Sequence, residues 1–199
     1  MTVAARLGAV TAAMHLPRFF IRQRITLGVN RYDVHVANPD GSEGPLMAFA
    51  QQKRFAVKEE VTFWADDSRS RRIFSFKARQ VMDVRAQHDV YDEHGQVLGT
   101  FGKKFGASLL RSTWSLTAPG LAATGKERSL PVAILRRVFD DLPFPFHFDF
   151  TQDDGGPPVM TSDRKRSIRD RYDVSVPDPR IDFRLAASVA VALDALQSR

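Results

Sequence analysis

The chain contains no cysteine. That absence excludes a disulfide scaffold, a thiolate metal site, a cysteine nucleophile and cysteine lipidation. Histidine is scarce: His15, His35, His88, His94 and His147 show neither the H-x-x-x-H nor the H-E-x-x-H spacing that would set two imidazoles on one helical face. There is no G-x-S-x-G elbow, no G-x-x-x-x-G-K-[ST] phosphate loop and no G-x-G-x-x-G fingerprint. Gly99-Thr100-Phe101-Gly102 reads as part of a strand. The carboxylate pairs Asp66-Asp67, Asp140-Asp141 and Asp153-Asp154 fall in a turn, a helix end and a loop. Paired carboxylates can divide into acid and base, but at such positions they serve to solvate the chain. The expectation is a protein that is not an enzyme, with no cofactor and no metal.

Long hydrophobic runs are missing as well. None reaches the ~18 to 20 residues of a membrane-spanning helix. The opening MTVAARLGAVTAAMHLPRFF lacks the strong apolar centre and cleavage site of a signal peptide. Residues 1–17 are expected to form an arm or short helix ending near Pro17, and residues 18–199 a single domain. A cytoplasmic protein is expected, peripheral at the membrane if it binds lipid.

What is present in excess is positive charge. Lys and Arg number 29 against 23 Asp and Glu, for a net charge of +6 and a pI near 10.0. That balance suits an anionic partner. The basic residues cluster in three places: Arg69, Arg71 and Arg72 near a hairpin tip; Lys103 and Lys104 after a return strand; and Arg164, Lys165 and Arg166, followed by Arg169 and Arg171, in the densest run. A turn is expected for this last run because of its polar start at Ser162-Asp163.

Between Phe19 and Leu116 short runs rich in Val, Phe, Tyr and Ile alternate with turn residues. RYDVHVANPDGSEGPLMAFA reads as a hairpin turning at Asp40-Gly41, and QVMDVRAQHDVYDEHGQVLGTFGKKF repeats the design with a tip at Asp92 to Gly95. A third hairpin turns between Asp66 and Arg72. A fourth, LPFPFHFDFTQDDGGPPVMTSDRKRS, places Phe144, Phe146, Phe148 and Phe150 on one face by strict alternation. MAFAQQKRF, LGTFGKKF and VMTSDRKRS form a weak internal repeat closing on basic residues. About eleven strands are expected between Phe19 and Val176. SLPVAILRRVFDDLPF predicts one amphipathic helix on the rim, near residues 130–142. Core positions are expected for Trp64 and Trp114.

The end of the chain, RIDFRLAASVAVALDALQSR, is different. From Leu185 to Leu196 only Ser188 and Asp194 are polar, and the apolar residues surround the helical wheel. A helix of that kind is buried on every side. Extended over residues 180–197 it would be about 27 Å long and ~10 to 12 Å across. An eight-stranded barrel has no room for it, whereas an eleven-stranded can encloses one. A lipocalin-type helix packs outside and needs a polar face; a two-layer sandwich leaves one side wet. The fold class expected is therefore mainly β: a closed antiparallel barrel of about twelve strands around a hydrophobic C-terminal helix.

Hairpins such as YDEHGQVLGTF and a close like DFRLAASVAVALDAL resemble the tubby C-terminal-like superfamily, in particular LURP-one-related and phospholipid-scramblase-like proteins, from about Arg18 to Leu196. The resemblance implies a twelve-stranded barrel around its last helix and a module binding anionic phospholipid head groups through Lys and Arg. On this sequence the candidates are Arg69, Arg71, Arg72, Lys103, Lys104, Arg164, Lys165 and Arg166. A protein-interaction barrel without a lipid ligand is the alternative; nucleic acid is disfavoured, because the Phe-rich strand alternates as a core strand does. Scramblase features are missing, including a D-x-[DN]-x-[DN]-G calcium loop, since residues 149–155 have the wrong spacing.

Overall fold

The structure, a computed structural model, describes residues 14–26, 29–53, 60–79, 87–104, 112–129, 147–165 and 171–195. Twelve strands, β1 (Arg18–Thr26), β2 (Val29–Ala37), β3 (Glu43–Lys53), β4 (Glu60–Trp64), β5 (Arg72–Ala78), β6 (Gln87–Asp92), β7 (Val97–Lys104), β8 (Thr113–Ala118), β9 (Leu121–Glu127), β10 (His147–Gln152), β11 (Pro158–Lys165) and β12 (Arg171–Ser175), precede one helix, α1 (Phe183–Ala195). Every strand pairs antiparallel with its neighbours in sequence. β1 also pairs with β12, from Arg18 opposite Ser175 to Arg22 opposite Arg171, and this closes the barrel. The helix expected near residues 130–142 lies outside the described residues.

Alternation decides which side chains enter the barrel. On β9, Leu121, Ala123, Gly125 and Glu127 face inward while Ala122 and Lys126 are exposed. Phe148 and Phe150 are buried and stand opposite Glu127 and Gly125, so the expected aromatic face of β10 lines the interior. Phe144 and Phe146 lie outside the described residues. Trp114 is in the core, but Trp64 is not: Phe63 takes the inward position, leaving Trp64 partly buried on the outer wall opposite Phe49.

The interior is filled by α1. All its residues except Asp194 are buried, and full burial of Leu185, Val189, Val191 and Leu193 is worth about 1.5–3 kcal/mol each. It starts at Phe183 rather than near residue 180, for two local reasons. The Asp178 carboxylate accepts the Arg180 backbone N–H at 2.9 Å and holds a turn. Asp182 then caps the helix, accepting the Arg184 N–H at 2.8 Å. The Asp182 carboxylate also takes the Arg184 guanidinium at 2.9 and 2.8 Å, giving an ion pair whose side chains are each only 6% exposed. The Ser188 hydroxyl is satisfied by the Arg184 carbonyl at 2.8 Å. Phe183 meets the rings of Phe19 and Phe74 edge-on, both at 5.8 Å.

Residues 14–17 fasten the start of the helix to the wall. Met14 N–H donates to Asp182 at 2.9 Å, Phe183 N–H to the Met14 carbonyl at 2.7 Å, and Val176 N–H to the Pro17 carbonyl at 2.8 Å. The barrel therefore has two unlike ends. At its base, where α1 begins, strands are joined through residues 38–42, 65–71, 93–96, 119–120 and 153–157. At its crown, toward which α1 runs, they are joined through residues 27–28, 54–59, 79–86, 105–112, 128–146 and 166–170.

Candidate functional site

Because strand direction alternates, every odd-numbered strand runs from base to crown. Each of them carries a Lys or Arg within its last three residues: Arg24, Lys53, Lys77, Lys103 with Lys104, Lys126 and Lys165. The three repeat segments are the crown-ward strands β3, β7 and β11, spaced four strands apart around the twelve-stranded barrel. The repeat thus delivers basic residues to one end from three sides.

Not all of this charge is available. Arg24 is held by Asp33 at 2.8 Å, Arg79 by Asp89 at 2.7 Å, and Arg171 lies 4.0 Å above the Phe20 ring while facing Glu43 at 3.9 Å. Arg128 donates to Asp149 at 2.8 and 2.5 Å and lies 3.0 Å from Asp163, and these carboxylates raise its pKa. Among the residues whose side chains are described, what is left is an arc of exposed lysines, Lys77, Lys104, Lys126 and Lys165, on β5, β7, β9 and β11. None has a carboxylate partner among the described residues. Lys104 donates to Thr124 at 2.9 Å, and Lys104, Thr113 and Lys126 form one cross-strand row.

The sequence-derived candidates divide. Lys104 and Lys165 belong to the arc. Lys103 and Arg164 stand on the inward register, opposite Trp114 and Tyr172. Arg166 lies outside the described residues. Arg69, Arg71 and Arg72 are exposed at the base, the far end from all the others, so the eight do not form one surface. The turn expected at Ser162-Asp163 is a correction: β11 continues through Lys165 in register with β12, Ser162 opposite Val174 and Asp163 opposite Asp173. The strand continues because Ser162 is taken into the inner wall, where it is 3% exposed. Lys77 and Lys126 were missed. Each is a solitary lysine in its strand, and only the direction of the strands reveals that they end beside the clusters.

Inside the crown the wall turns polar. The Asp194 carboxylate, near the end of α1, accepts the Tyr32 hydroxyl at 2.8 Å and also the Tyr172 hydroxyl. Gln23 and Asn30 side chains hydrogen-bond the Tyr32 oxygen, while burial and then the Asp194 charge push the Tyr32 pKa upward. Tyr32 therefore stays a proton donor. His88 is stacked on Phe101 at 5.0 Å with an edge contact to Phe76 at 5.6 Å. Burial lowers its pKa, and Nδ1 has no hydrogen-bond partner among the described residues. No group of three metal-ligating side chains converges among those residues. No helix among them is long and apolar enough to cross a membrane.

Comparison with known families agrees with this architecture. The sequence model of the LURP-one-related family matches residues 46–194. No curated protein matches the chain. The match takes in β4 through nearly all of α1 and spans most of the chain, so the protein belongs to the LURP-one-related family, within the tubby-like superfamily.

Proposed function

We propose that this LURP-one-related barrel is a non-enzymatic module that binds anionic lipid surfaces with its crown. The observation that carries the reading is the arc of Lys77, Lys104, Lys126 and Lys165, four exposed ammonium groups on alternate strands at one end. Each contributes about 1 kcal/mol near an anionic leaflet, so four acting together contribute ~4 kcal/mol, enough for reversible attachment. Four stretches of the sequence add to this. KRFAVK (53–58), SLLR (108–111), LPVAILRRVF (130–139) and RKRSIR (164–169) mix cations with apolar residues, a composition suited to the head-group boundary. A nucleic-acid surface is less well supported, because the rings of Phe101, Trp114, Phe148 and Phe150 are buried and cannot stack on bases.

Flotation with phosphatidylserine vesicles over a salt series tests the reading. Wild-type protein is expected to float with anionic and not with neutral vesicles, and to be released as salt shortens the screening length to ~8 Å and below. The variant K77Q/K104Q/K126Q/K165Q is expected to remain behind at every lipid composition with its melting temperature unchanged. Equal flotation of the two proteins, or none by either at low salt, overturns the proposal and favours a barrel that engages protein only.

A further inference from the structure

The base carries a second concentration of charge that the crown does not explain. Elsewhere on the barrel, at both ends, Arg18, Arg24, Arg79, Arg128, Arg180 and Arg184 each bind a carboxylate. Arg69 and Arg71, exposed in the β4–β5 turn, and Arg72, exposed at the start of β5, form no ion pair among the described residues; Arg72 donates only to the Ser75 hydroxyl, at 2.8 Å. Two acids, Asp66 and Asp67, share the turn, both exposed. Asp66 accepts the Ser68 N–H at 2.9 Å and the Ser68 hydroxyl at 2.5 Å, and these bonds, with a smaller part from the Arg71 charge, hold its pKa below the usual carboxylate range. The turn is closed by Ala65 N–H on the Arg71 carbonyl at 2.9 Å and Arg69 N–H on the Asp66 carbonyl at 3.2 Å. Arg69 itself adopts a left-handed φ of 56°, which is costly for a residue with a side chain. Three guanidiniums are thus presented on a frame fixed by its own hydrogen bonds.

The neighbours limit what can approach. Around the base this turn lies between the β2–β3 turn, with exposed Asp40, and the β6–β7 turn, with exposed Glu93. A membrane or a nucleic acid presents negative charge over a broad front and would meet those two carboxylates together with the arginines. A short acidic stretch of protein can reach the three arginines, which outnumber the two acids of their own turn, without meeting Asp40 or Glu93. We propose that the β4–β5 turn is a docking site for an acidic polypeptide segment, which binds carboxylates through Arg69, Arg71 and Arg72 at the end of the barrel opposite the lysine arc. Arginine suits this role because its planar fork of donors matches a carboxylate.

A fluorescein-labelled hexaglutamate peptide, with hexaglutamine as control, tests the site by anisotropy on the full chain. Wild-type protein is expected to bind hexaglutamate in a salt-sensitive manner and to ignore hexaglutamine. The variant R69Q/R71Q/R72Q is expected to bind hexaglutamate about tenfold more weakly or worse, since each exposed ion pair is modest but three act together. K104Q/K165Q is expected to bind the peptide as wild type does, and the arginine variant to float with anionic vesicles as wild type does, so that the two ends fail separately. Three results overturn the inference: no hexaglutamate binding at low salt, equal binding by the arginine variant, or an arginine-dependent shift with a single-stranded oligonucleotide in place of the peptide.

Discussion

The two ends of the barrel are made from the same twelve strands and solve different problems. At the base, a run as short as Pro119-Gly120 joins β8 to β9, and the turns at Asp40-Gly41 and Asp92 to Gly95 use glycines with φ of 79° and 81°. Residues 14–17 and the Asp182–Arg184 pair fix the beginning of α1 there. At the crown, residues 128–146 separate β9 from β10, and the interior ends in a hydrogen-bonded polar cluster around Asp194 instead of an ion pair. One end fixes the helix through a desolvated charge pair, while the other holds it through neutral hydroxyls and carries its cations on the outer wall. The difference teaches that the architecture alone does not make the ends unlike; the direction of the strands does, because it collects lysines from separate strands at one place.

The comparison can be broken most severely at the base. Arg184→Leu leaves the Asp182 carboxylate buried without its partner, and a loss of about 3–5 kcal/mol is expected in urea unfolding. If the midpoint moves no more than for Tyr32→Phe at the crown, the ends are energetically alike and the contrast fails. A substitution midway along the wall comes next. A Cβ at Gly125 would stand 2.4 Å from the Phe150 ring, and one at Gly99 would stand 2.6 Å from Leu185. Gly125→Ala is therefore expected to cost about 1–3 kcal/mol, as is Ala190→Leu on the facing helix. Unchanged midpoints for both would mean that the interior is slack.

The crown is expected to respond less. Tyr172→Phe removes one of the two hydroxyls that Asp194 accepts among the described residues, and a hydrogen bond to a charged group is worth about 1.5–3 kcal/mol, less where water can replace it. The smallest effect is a slope against pH. Burial lowers the pKa of His88, so the unfolded chain, with a value near ~6.5, binds the proton more readily than the folded one. The contribution of His88 to stability is complete above that value and is lost as pH falls toward the lowered folded value. Wild type should accordingly lose more stability between pH 7.5 and 5.5 than His88→Gln does. Parallel losses in chemical denaturation would remove His88 as the source.

Much of the fold could be read from the residues. The apolar circumference of Leu185 to Ala195, the Asp-Gly turns and the alternation of Phe148 and Phe150 are local signals that tertiary structure reinforces. Features created by long-range pairing could not be read in this way. Arg184 and Asp182 look like ordinary solvated charges, and only the barrel around them makes them a buried pair, with the distant Met14 N–H donating to Asp182. Phe20 and Phe49 fall on the outer face by alternation yet are buried, Phe20 beneath the guanidiniums of Arg18 and Arg171. SDRK has the composition of a turn, but its pairing with β12 extends the strand. The candidate site was half legible. Runs such as Lys103-Lys104 are conspicuous, whereas an arc of single lysines exists only once β5, β7, β9 and β11 are laid side by side.

The position of α1 after all twelve strands has a consequence for biogenesis. Translation delivers the strands first, at roughly 5–20 residues per second, and supplies the segment that fills their interior after the last of them. Until residues 171–175 are made, β1 has no β12 to pair with, and until residues 183–195 have left the ribosome, rings such as Phe63, Phe74, Phe101 and Phe150 lack the partner they pack around. A sheet in that condition has two open edges and an uncovered apolar face, the state most prone to pair with other chains. Folding of this barrel is therefore a late event relative to synthesis, and a nascent chain arrested before α1 would depend on chaperones to remain soluble.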